Sequence, residues 1–363
     1  MSTGNAVEKV LVMRFSALGD VAMVVPVVRA VLEVNPNMEL LMLSNKEYAG
    51  LFEGINRLEF IGVDLKKKYA GFTGMIRLFN LLRKQYGFDA VADLHGVLRT
   101  HLLRFLFFVI KKRIAVIDKG RFEKHALTRK ENKVFRPLVH TTERYQLVFK
   151  QLGFTVADHE LSSEGIELDQ PSLFSEPTKA ALTATPIAKD NVMSIGFAPF
   201  AKHAIKMYDL DNFKEVIRHF DSPDYRLYFF GGSVAEKLLI GQWNREFSHA
   251  VAIPDSYTLK DELDLMRSLH VMVSMDSANM HLASLSGVPV VSVWGPTHPY
   301  AGFYGINQDP LYAVQVNALT CRPCSVYGGR ACWRGDHACM QQIEPAAIVG
   351  KIQRILLGKQ DPQ

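Results

Sequence analysis

Two consecutive stretches indicate the fold most clearly: KVLVM at residues 9–13 and RFSALGDVAMVVPVVRA at residues 14–30. The first five form a short apolar run bounded by a loop of small residues, which is typical of a buried strand in a parallel sheet. Residues 20–34 carry apolar side chains at helical spacing. Strand, loop and helix in this order predict the start of an α/β unit. The loop places one carboxylate, that of Asp20, at the carboxyl end of the strand.

The same alternation continues through the first half of the chain, which predicts a parallel sheet covered by helices on both faces. The predicted strands are residues 39–43, 88–94 and 113–117, and the predicted helices are residues 72–86, 97–110 and 142–152.

Three prolines among Ser, Thr and Ala interrupt the pattern within residues 169–191. We interpret residues 171–190 as a linker, with a short helix at 176–185. The alternation then restarts, so we divide the chain into a first domain of residues 1–170, a second domain of residues 191–345 and a terminal helix within residues 346–363. The predicted strands of the second domain are 192–199, 225–232, 270–276 and 288–296, and its helices are 235–247, 259–268 and 277–286.

Charge is unevenly distributed along the chain. The formal net charge is +5, but residues 66–150 hold 20 Lys and Arg against 6 Asp and Glu. A basic field of this size favours an anionic partner. Nucleic acid is not expected, since no recognition helix or interleaved aromatic and basic surface is evident.

No signal peptide and no apolar run long enough to span a membrane are recognised, so we expect a cytoplasmic protein without a transmembrane segment. The longest apolar cluster is FLFFVI, residues 105–110, and three basic residues follow it. Two interpretations remain open: a buried helix end, or a patch that rests on a membrane surface.

The loop of residues 14–20 lacks the glycine-rich dinucleotide and phosphate-loop patterns. Asp20 therefore has two interpretations. It caps the following helix by accepting backbone N–H groups, or it is a general base that takes a proton from a substrate hydroxyl.

A second stretch helps to interpret this loop: VSMDSANMHLASLSGVPVVSVWGPTHP at residues 273–299. Together with SALGD at residues 16–20, it resembles glycosyltransferase family 9, the heptosyltransferases of the lipopolysaccharide inner core. Weaker matches are APFAKHAIKMY, DLHGVLRT and HTTERY, at residues 198–208, 93–100 and 140–145. The chain departs from the family at Ala278, where glycine is usual, and at the Met-Tyr pair after Lys206, where the family often has tryptophan.

The resemblance implies an α/β fold of the GT-B type, with two Rossmann-like domains facing each other across a cleft. It also implies that the terminal helix returns to the first domain. The implied reaction is inverting sugar transfer from ADP-heptose to an anionic glycolipid acceptor, without a metal or other cofactor. Such an acceptor lies at the membrane surface, so we expect a peripheral location on the inner face of the cytoplasmic membrane.

The resemblance also implies residue roles. Asp20 is the candidate base, and Ser16 and Gly19 line the acceptor loop. The basic stretch offers His95, Arg99, Lys119, Arg121, His140 and Arg144, of which we select Arg99 and Arg144 for the acceptor. The candidate donor residues are Lys202, Lys206, Asp276, Ser277, Ala278, His281, Gly295, Pro296 and Thr297. The N-terminus of the helix after Asp276 suits the leaving diphosphate, because it presents free N–H groups and a positive dipole end.

Four cysteines fall within 19 residues: Cys321, Cys324, Cys332 and Cys339. One C-x-x-C pair is present and the second is missing, so the spacing leaves structural zinc, a disulfide and free thiols open.

Two other functions remain open. One keeps the fold and changes the sugar nucleotide and the cell-surface glycan. The other is a non-catalytic protein that binds a nucleotide or a glycolipid.

Overall fold

The structure is a computed structural model that describes residues 7–156 and 192–358. The predicted linker and its short helix lie outside the described residues. The chain divides into two compact units. The first draws its described residues from 7–119 and 139–156, and the second from 120–138 and 192–358.

The first unit is built on a five-stranded parallel sheet with the order β3-β2-β1-β4-β5. Its central strands are buried and apolar because helices cover both faces. The strands are β1 (Glu8–Met13), β2 (Met38–Asn45), β3 (Leu58–Val63), β4 (Ala90–Asp93) and β5 (Arg113–Val116).

Its helices follow the strands in the predicted alternation. α2 and α3 bury their apolar sides and leave the opposite sides to solvent, which is the amphipathic pattern that the spacing predicted. The helices are α1 (Leu18–Ala22), α2 (Val24–Val34), α3 (Gly71–Gln85), α4 (Leu98–Val109) and α6 (Thr141–Gln151), while α5 (Arg121–Thr128) belongs to the second unit.

The second unit contains a six-stranded parallel sheet with the order β11-β10-β9-β6-β7-β8. Its core includes the fully buried ring of Trp243. The strands are β6 (Met193–Ala198), β7 (Tyr225–Phe229), β8 (Ala250–Val251), β9 (Val271–Met275), β10 (Val290–Trp294) and β11 (Ala313–Gln315). The helices are α7 (Leu210–His219), α8 (Val234–Glu246), α9 (Leu259–Arg267), α10 (Ala278–Leu285), α11 (Ala338–Gln341) and α12 (Pro345–Gly358).

Each sheet contains one point where the strand order reverses. In the first unit it lies between β1 and β4, and in the second between β9 and β6. Ligands of open α/β sheets bind beyond the carboxyl ends of the strands at such points. The segments after these four strands carry Asp20, which lies in the first turn of α1, and His95, Lys206 and Asp276.

The terminal helix α12 packs on α7 and against β9 and β10 of the second unit. Ile348, Ile352 and Ile355 place its apolar side in the core of that unit. The resemblance implied a return to the first domain. The apolar side of α12 is packed within the second unit, and the implied return stays a prediction.

Residues 120–138 also belong to the second unit, whereas the sequence placed all of residues 1–170 in the first domain. Two anchors explain the assignment. The Lys133 ammonium donates to the carbonyl oxygens of residues 320–323 at 2.9–3.1 Å. The Leu138 N–H donates to the Tyr300 carbonyl at 2.9 Å.

Among the described residues, no helix has both the length and the apolar character that crossing a membrane requires.

We predict that Lys133→Met destabilises the second unit by about 1–3 kcal/mol, because four carbonyl oxygens lose a charged donor. All three tryptophans of the chain, Trp243, Trp294 and Trp333, lie in this unit, so tryptophan fluorescence during urea unfolding reports on it. Arg136→Met is the control, since it removes an exposed cation from the same segment. Equal unfolding midpoints for the two variants would contradict the anchoring role.

Candidate active site

Arg14 is the cation around which the first loop is arranged. It follows β1 directly, and its side chain is buried. Nη2 lies 2.6 Å from Oδ2 of Asp20, and Nη1 donates to the Leu94 carbonyl at 2.7 Å. The guanidinium also lies over the ring of Tyr145, 5.8 Å from its centroid. These contacts hold a positive charge at the carboxyl end of the sheet.

The Asp20 carboxylate serves as a helix cap in this structure. Its Oδ2 accepts the Ala17 N–H at 3.2 Å, which closes the first turn of α1. The Tyr145 hydroxyl donates to the Asp20 carbonyl at 3.2 Å, which fixes the backbone. The side chain is still 35% exposed. Over the described part of the chain, its side-chain contacts use Oδ2, so the cap leaves Oδ1 able to accept a proton.

The loop after β4 brings His95 to the same edge. The buried Asp93 shapes this loop: its Oδ1 accepts the N–H groups of His95 and Gly96, each at 2.9 Å, and Arg104 lies 3.0 Å from Oδ2. His95 Nδ1 accepts the Phe15 N–H at 3.4 Å, so a neutral ring carries its proton on Nε2. Burial, and then the charge of Arg14, lower the pKa of His95 to about 3.

The other first-unit candidates occupy different environments. Ser16 is exposed and Gly19 is buried at the start of α1. Arg99 is exposed near the start of α4. Arg144 is buried in α6, where Nε donates to the Val139 carbonyl and Nη1 to the Asp118 carbonyl, both at 3.3 Å. The structure brings His95 beside the Asp20 loop, and the charge of Arg99 also acts to lower the pKa of His95.

In the second unit, Lys206 and Asp276 form a largely buried ion pair. Lys206 Nζ lies 2.8 Å from Asp276 Oδ2, and the two side chains are 11% and 4% exposed. Gly328 packs on the lysine stem so closely that a Cβ at this position would lie 2.4 Å from Lys206 Cδ. The cysteine-rich segment thus fixes the lysine in place. The nearby Lys202 is exposed.

Helix α10 begins beside this ion pair. Ser277 occupies its N-cap position, but the hydroxyl makes no cap bond and lies 3.4 Å from Ser274 Oγ. Asp276 is engaged by Lys206 rather than by the helix. Ala278 stands in the first turn, and His281 is buried farther along. An N-terminus without a side-chain cap is suited to an anion.

The loop of Gly295, Pro296 and Thr297 follows β10, and Arg322 holds it. Arg322 Nε donates to the Gly295 carbonyl at 2.5 Å, and Nη2 donates to the Thr297 carbonyl at 3.0 Å. The Thr297 side chain is fully buried, and its hydroxyl makes no hydrogen bond within residues 7–156 and 192–358. A buried hydroxyl normally has a partner, so the unpaired state of this one is unusual.

A cavity of about 210 Å³ lies at the carboxyl end of β7. Sequence reasoning missed this cavity, although the Gly-Gly pair after the strand marks a place where the backbone allows close approach. Burial raises the pKa of Glu262 in its wall. Phe230, Gly231 and Tyr257 also line the cavity.

The four cysteines line one small cavity of about 10 Å³. All four are free thiols, so the disulfide interpretation is not observed. Burial raises the pKa of Cys324, and that of Cys339 to about 11. Thiolates are the form that zinc binds, and no three His, Cys, Asp or Glu in the described parts of the chain are arranged to hold a metal.

Sequence reasoning missed Arg14, Tyr145 and Arg322 as organisers of these loops. A signal existed for two of them. Arg14 interrupts an apolar run just where the strand ends, and Arg322 stands inside the C-x-x-C pair. No pattern in the sequence connects Tyr145 to a loop 125 residues earlier.

The chain is similar to known heptosyltransferases both in a family-model comparison and in a comparison with individual proteins. The model of the family described as glycosyltransferase family 9 (heptosyltransferase) matches residues 75–329. The lipopolysaccharide core heptosyltransferase OpsX of Haemophilus influenzae is 22% identical over 358 residues, which cover 97% of this chain and 98% of that protein.

Two solved structures share the fold. A glycosyltransferase family 9 protein from Veillonella parvula aligns with a TM-score of 0.75 at 18% identity, over 99% of this chain and 100% of that one. The E. coli heptosyltransferase WaaC with ADP aligns with a TM-score of 0.66 at 18% identity, over 96% and 99% of the two chains.

These likenesses and the two parallel α/β units confirm the GT-B fold class. The family model spans more than half of the chain, and the motifs at residues 16–20 and 273–299 had already indicated the same family. The chain therefore belongs to glycosyltransferase family 9, the heptosyltransferase family.

Proposed function

We propose that this protein transfers a heptose, with inversion, from ADP-heptose to an inner-core acceptor of lipopolysaccharide at the inner face of the cytoplasmic membrane. One observation carries the proposal: the strand-order reversals of the two sheets bear complementary groups. One bears a partly exposed carboxylate, and the other bears a largely buried lysine beside a helix N-terminus without a side-chain cap.

In the first unit, Asp20 is the proposed general base. Its Oδ1 accepts the proton of the acceptor hydroxyl as that oxygen attacks the anomeric carbon. The bond to Arg14 keeps Oδ2 in place, so the carboxylate needs little reorganisation. Ser16, Gly19, Arg99 and Arg144 are proposed to contact the anionic acceptor, with neutral His95 beside them.

In the second unit, α10 and Lys206 stabilise the diphosphate as its bond to the sugar breaks. The negative charge that develops on ADP meets the N–H groups near Ser277 and Ala278 and the Lys206 ammonium. Lys202 and His281 are proposed as further donor contacts, and Thr297 offers its buried hydroxyl.

The cavity beyond β7 is proposed to take the nucleobase, with the rings of Phe230 and Tyr257 and the backbone of Gly231 around it. In this proposal protein groups carry all of the transition-state charge, so transfer requires no metal ion or other cofactor.

Asp20→Asn is predicted to lower kcat by about 10²- to 10⁴-fold, because the amide does not accept the acceptor's proton. Affinity for ADP, measured by calorimetry, stays unchanged because the donor groups lie in the second unit. Asp64→Asn is the matched control: Asp64 also follows a strand and accepts two backbone N–H groups, those of Lys66 and Lys67. Normal turnover by Asp20→Asn would reject the base assignment, and it would favour another route for the proton.

Lys206→Met is predicted to weaken ADP binding by roughly 10- to 100-fold, because a buried charge-assisted hydrogen bond to the diphosphate is lost. Lys202→Met removes an exposed cation four residues earlier and is predicted to cause a smaller loss. Titration calorimetry with ADP compares the two. An equal loss in both variants would mean that Lys206 contributes only general charge.

His95 is predicted to make the protein less stable in acid. Its folded pKa of about 3 lies below the ordinary value of 6.5, so the unfolded state binds a proton first as the pH falls. Above pH 6.5 the ring is neutral in both the folded and the unfolded state, so it costs no stability. As the pH falls from 6.5 toward 3, the unfolded state gains a proton and the free energy of unfolding decreases. At pH 5 this loss is of order 2 kcal/mol.

Urea unfolding at pH 7 and pH 5 tests this. His95→Gln is expected to lose less stability between the two pH values than the unsubstituted protein does, whereas His101→Gln, at an exposed histidine, behaves like the unsubstituted protein. Equal losses in all three proteins would show that His95 titrates normally.

A further inference from the structure

Helix α4 carries a row of large apolar side chains on its solvent side. Leu98, Phe105, Phe108 and Val109 are 86%, 63%, 70% and 61% exposed. At the helical repeat they fall within an arc of about 100°, and we call this row the α4 stripe. The opposite side of the helix is buried through Thr100, Leu103 and Phe107. The helix is therefore already anchored in the core, and the stripe is a second apolar side.

The charges around the stripe have one sign. Neither residues 71–88 nor residues 94–117 contain an Asp or Glu. α3 packs against α4 within this region. The exposed cations are Arg77, Arg83, Lys84, Arg99 and Lys111.

The remaining charged groups nearby are engaged elsewhere. Arg104 lies 3.0 Å from the buried Asp93, and Arg113 pairs with Glu8. Lys112 donates to the Phe88 carbonyl. Asp89 directly precedes β4, at the amino end of that strand, and accepts the Lys9 N–H at 2.9 Å. The exposed cations thus form a positive border beside the apolar row.

We propose that the α4 stripe docks on an anionic lipid bilayer, with its apolar side chains in the interface and its cations toward the headgroups. A helix with exposed Phe and Leu, a basic border and no carboxylate has the composition of interfacial helices. Each cation near an anionic surface adds about fivefold to partitioning. A protein interface, in contrast, would be expected to pair these cations with carboxylates at its rim.

The position of the stripe supports this partner. α4 starts directly after the loop of His95 and Gly96, at the strand-order reversal of the first sheet. Its twelve residues extend about 18 Å from that edge. A helix lying on the bilayer would hold this edge at the headgroup level, where a lipid-anchored acceptor presents its sugars. This inference rests on the proposed function and assigns the surface that meets the membrane.

The test is co-sedimentation of the full-length protein with vesicles. Vesicles of phosphatidylglycerol and phosphatidylethanolamine are expected to bind the protein more strongly than vesicles of phosphatidylcholine. The double variant Phe105→Gln and Phe108→Gln is expected to lower the partition coefficient at least tenfold. It removes two aromatic rings that the proposal buries in the bilayer interface. Lys84→Gln with Lys111→Asn should weaken binding to the anionic vesicles only.

The matched control is Val234→Gln with Leu238→Gln, which removes two exposed aliphatic residues from α8 in the other unit. It should bind vesicles like the unsubstituted protein. An unchanged melting temperature verifies that the Phe variant is folded, as expected for exposed positions.

Three results of the vesicle experiment would overturn the proposal. The unsubstituted protein does not bind anionic vesicles, the Phe variant binds them as well as the unsubstituted protein does, or the control loses binding to the same extent as the Phe variant. It is also overturned if the stripe instead mediates self-association, seen as a dimer that the Phe variant abolishes.

Transfer to a deacylated, soluble acceptor separates this inference from the proposed function. The Phe variant should retain that transfer, because the stripe contacts lipid and not sugar. Absence of transfer in every protein, with vesicle binding intact, would refute the proposed function and leave the docking surface standing.

Discussion

The reversal of strand order in each parallel sheet determines where the charged side chains of both candidate sites lie. At a reversal, the two neighbouring connections leave toward opposite faces, and the carboxyl ends of the two strands remain uncovered. The charged groups of both candidate sites lie at these points. Arg14, Asp20 and His95 follow β1 and β4, while Lys206 and Asp276 follow β6 and β9. The two units thus place different sets of charged groups at the same topological feature.

Both sites hold their charges as preformed pairs. Moving a lysine or an arginine away from water is costly, and a carboxylate at hydrogen-bond distance offsets part of that cost. The pairs Arg14–Asp20 and Lys206–Asp276 do this at 2.6 and 2.8 Å. Charges that are already fixed in orientation stabilise a transition state with little reorganisation. The cysteine-rich segment contributes through Gly328 and Arg322, which restrain the lysine stem and the loop after β10.

Local pattern predicted much of the fold and part of the site. The apolar run of residues 9–13 became β1, and the spacing of residues 72–86 became α3 with a shift of one residue at each end. The strand β3 and the helix α7 were missed: β3 pairs with one strand only, and α7 combines three buried apolar residues with many charges.

Among the candidate site residues, Asp20 and Lys206 were selected through their motifs. Arg14 was missed as the partner of Asp20. Asp276 was marked by its own motif, but its pairing with Lys206 was not predicted, because only the folded topology brings these two residues together. The assignment of residues 120–138 failed for the same reason, since Lys133 meets carbonyl groups almost 190 residues later.

Hydrogen–deuterium exchange in the presence and absence of ADP tests the central claim most directly, because it maps where the diphosphate binds without any substitution. We expect ADP to slow exchange in three segments at the carboxyl edge of the second sheet: the turn around Lys206, the glycine pair at residues 231–232 and the first turn of α10. Slower exchange confined to other parts of the chain, with these three segments unchanged, would contradict it.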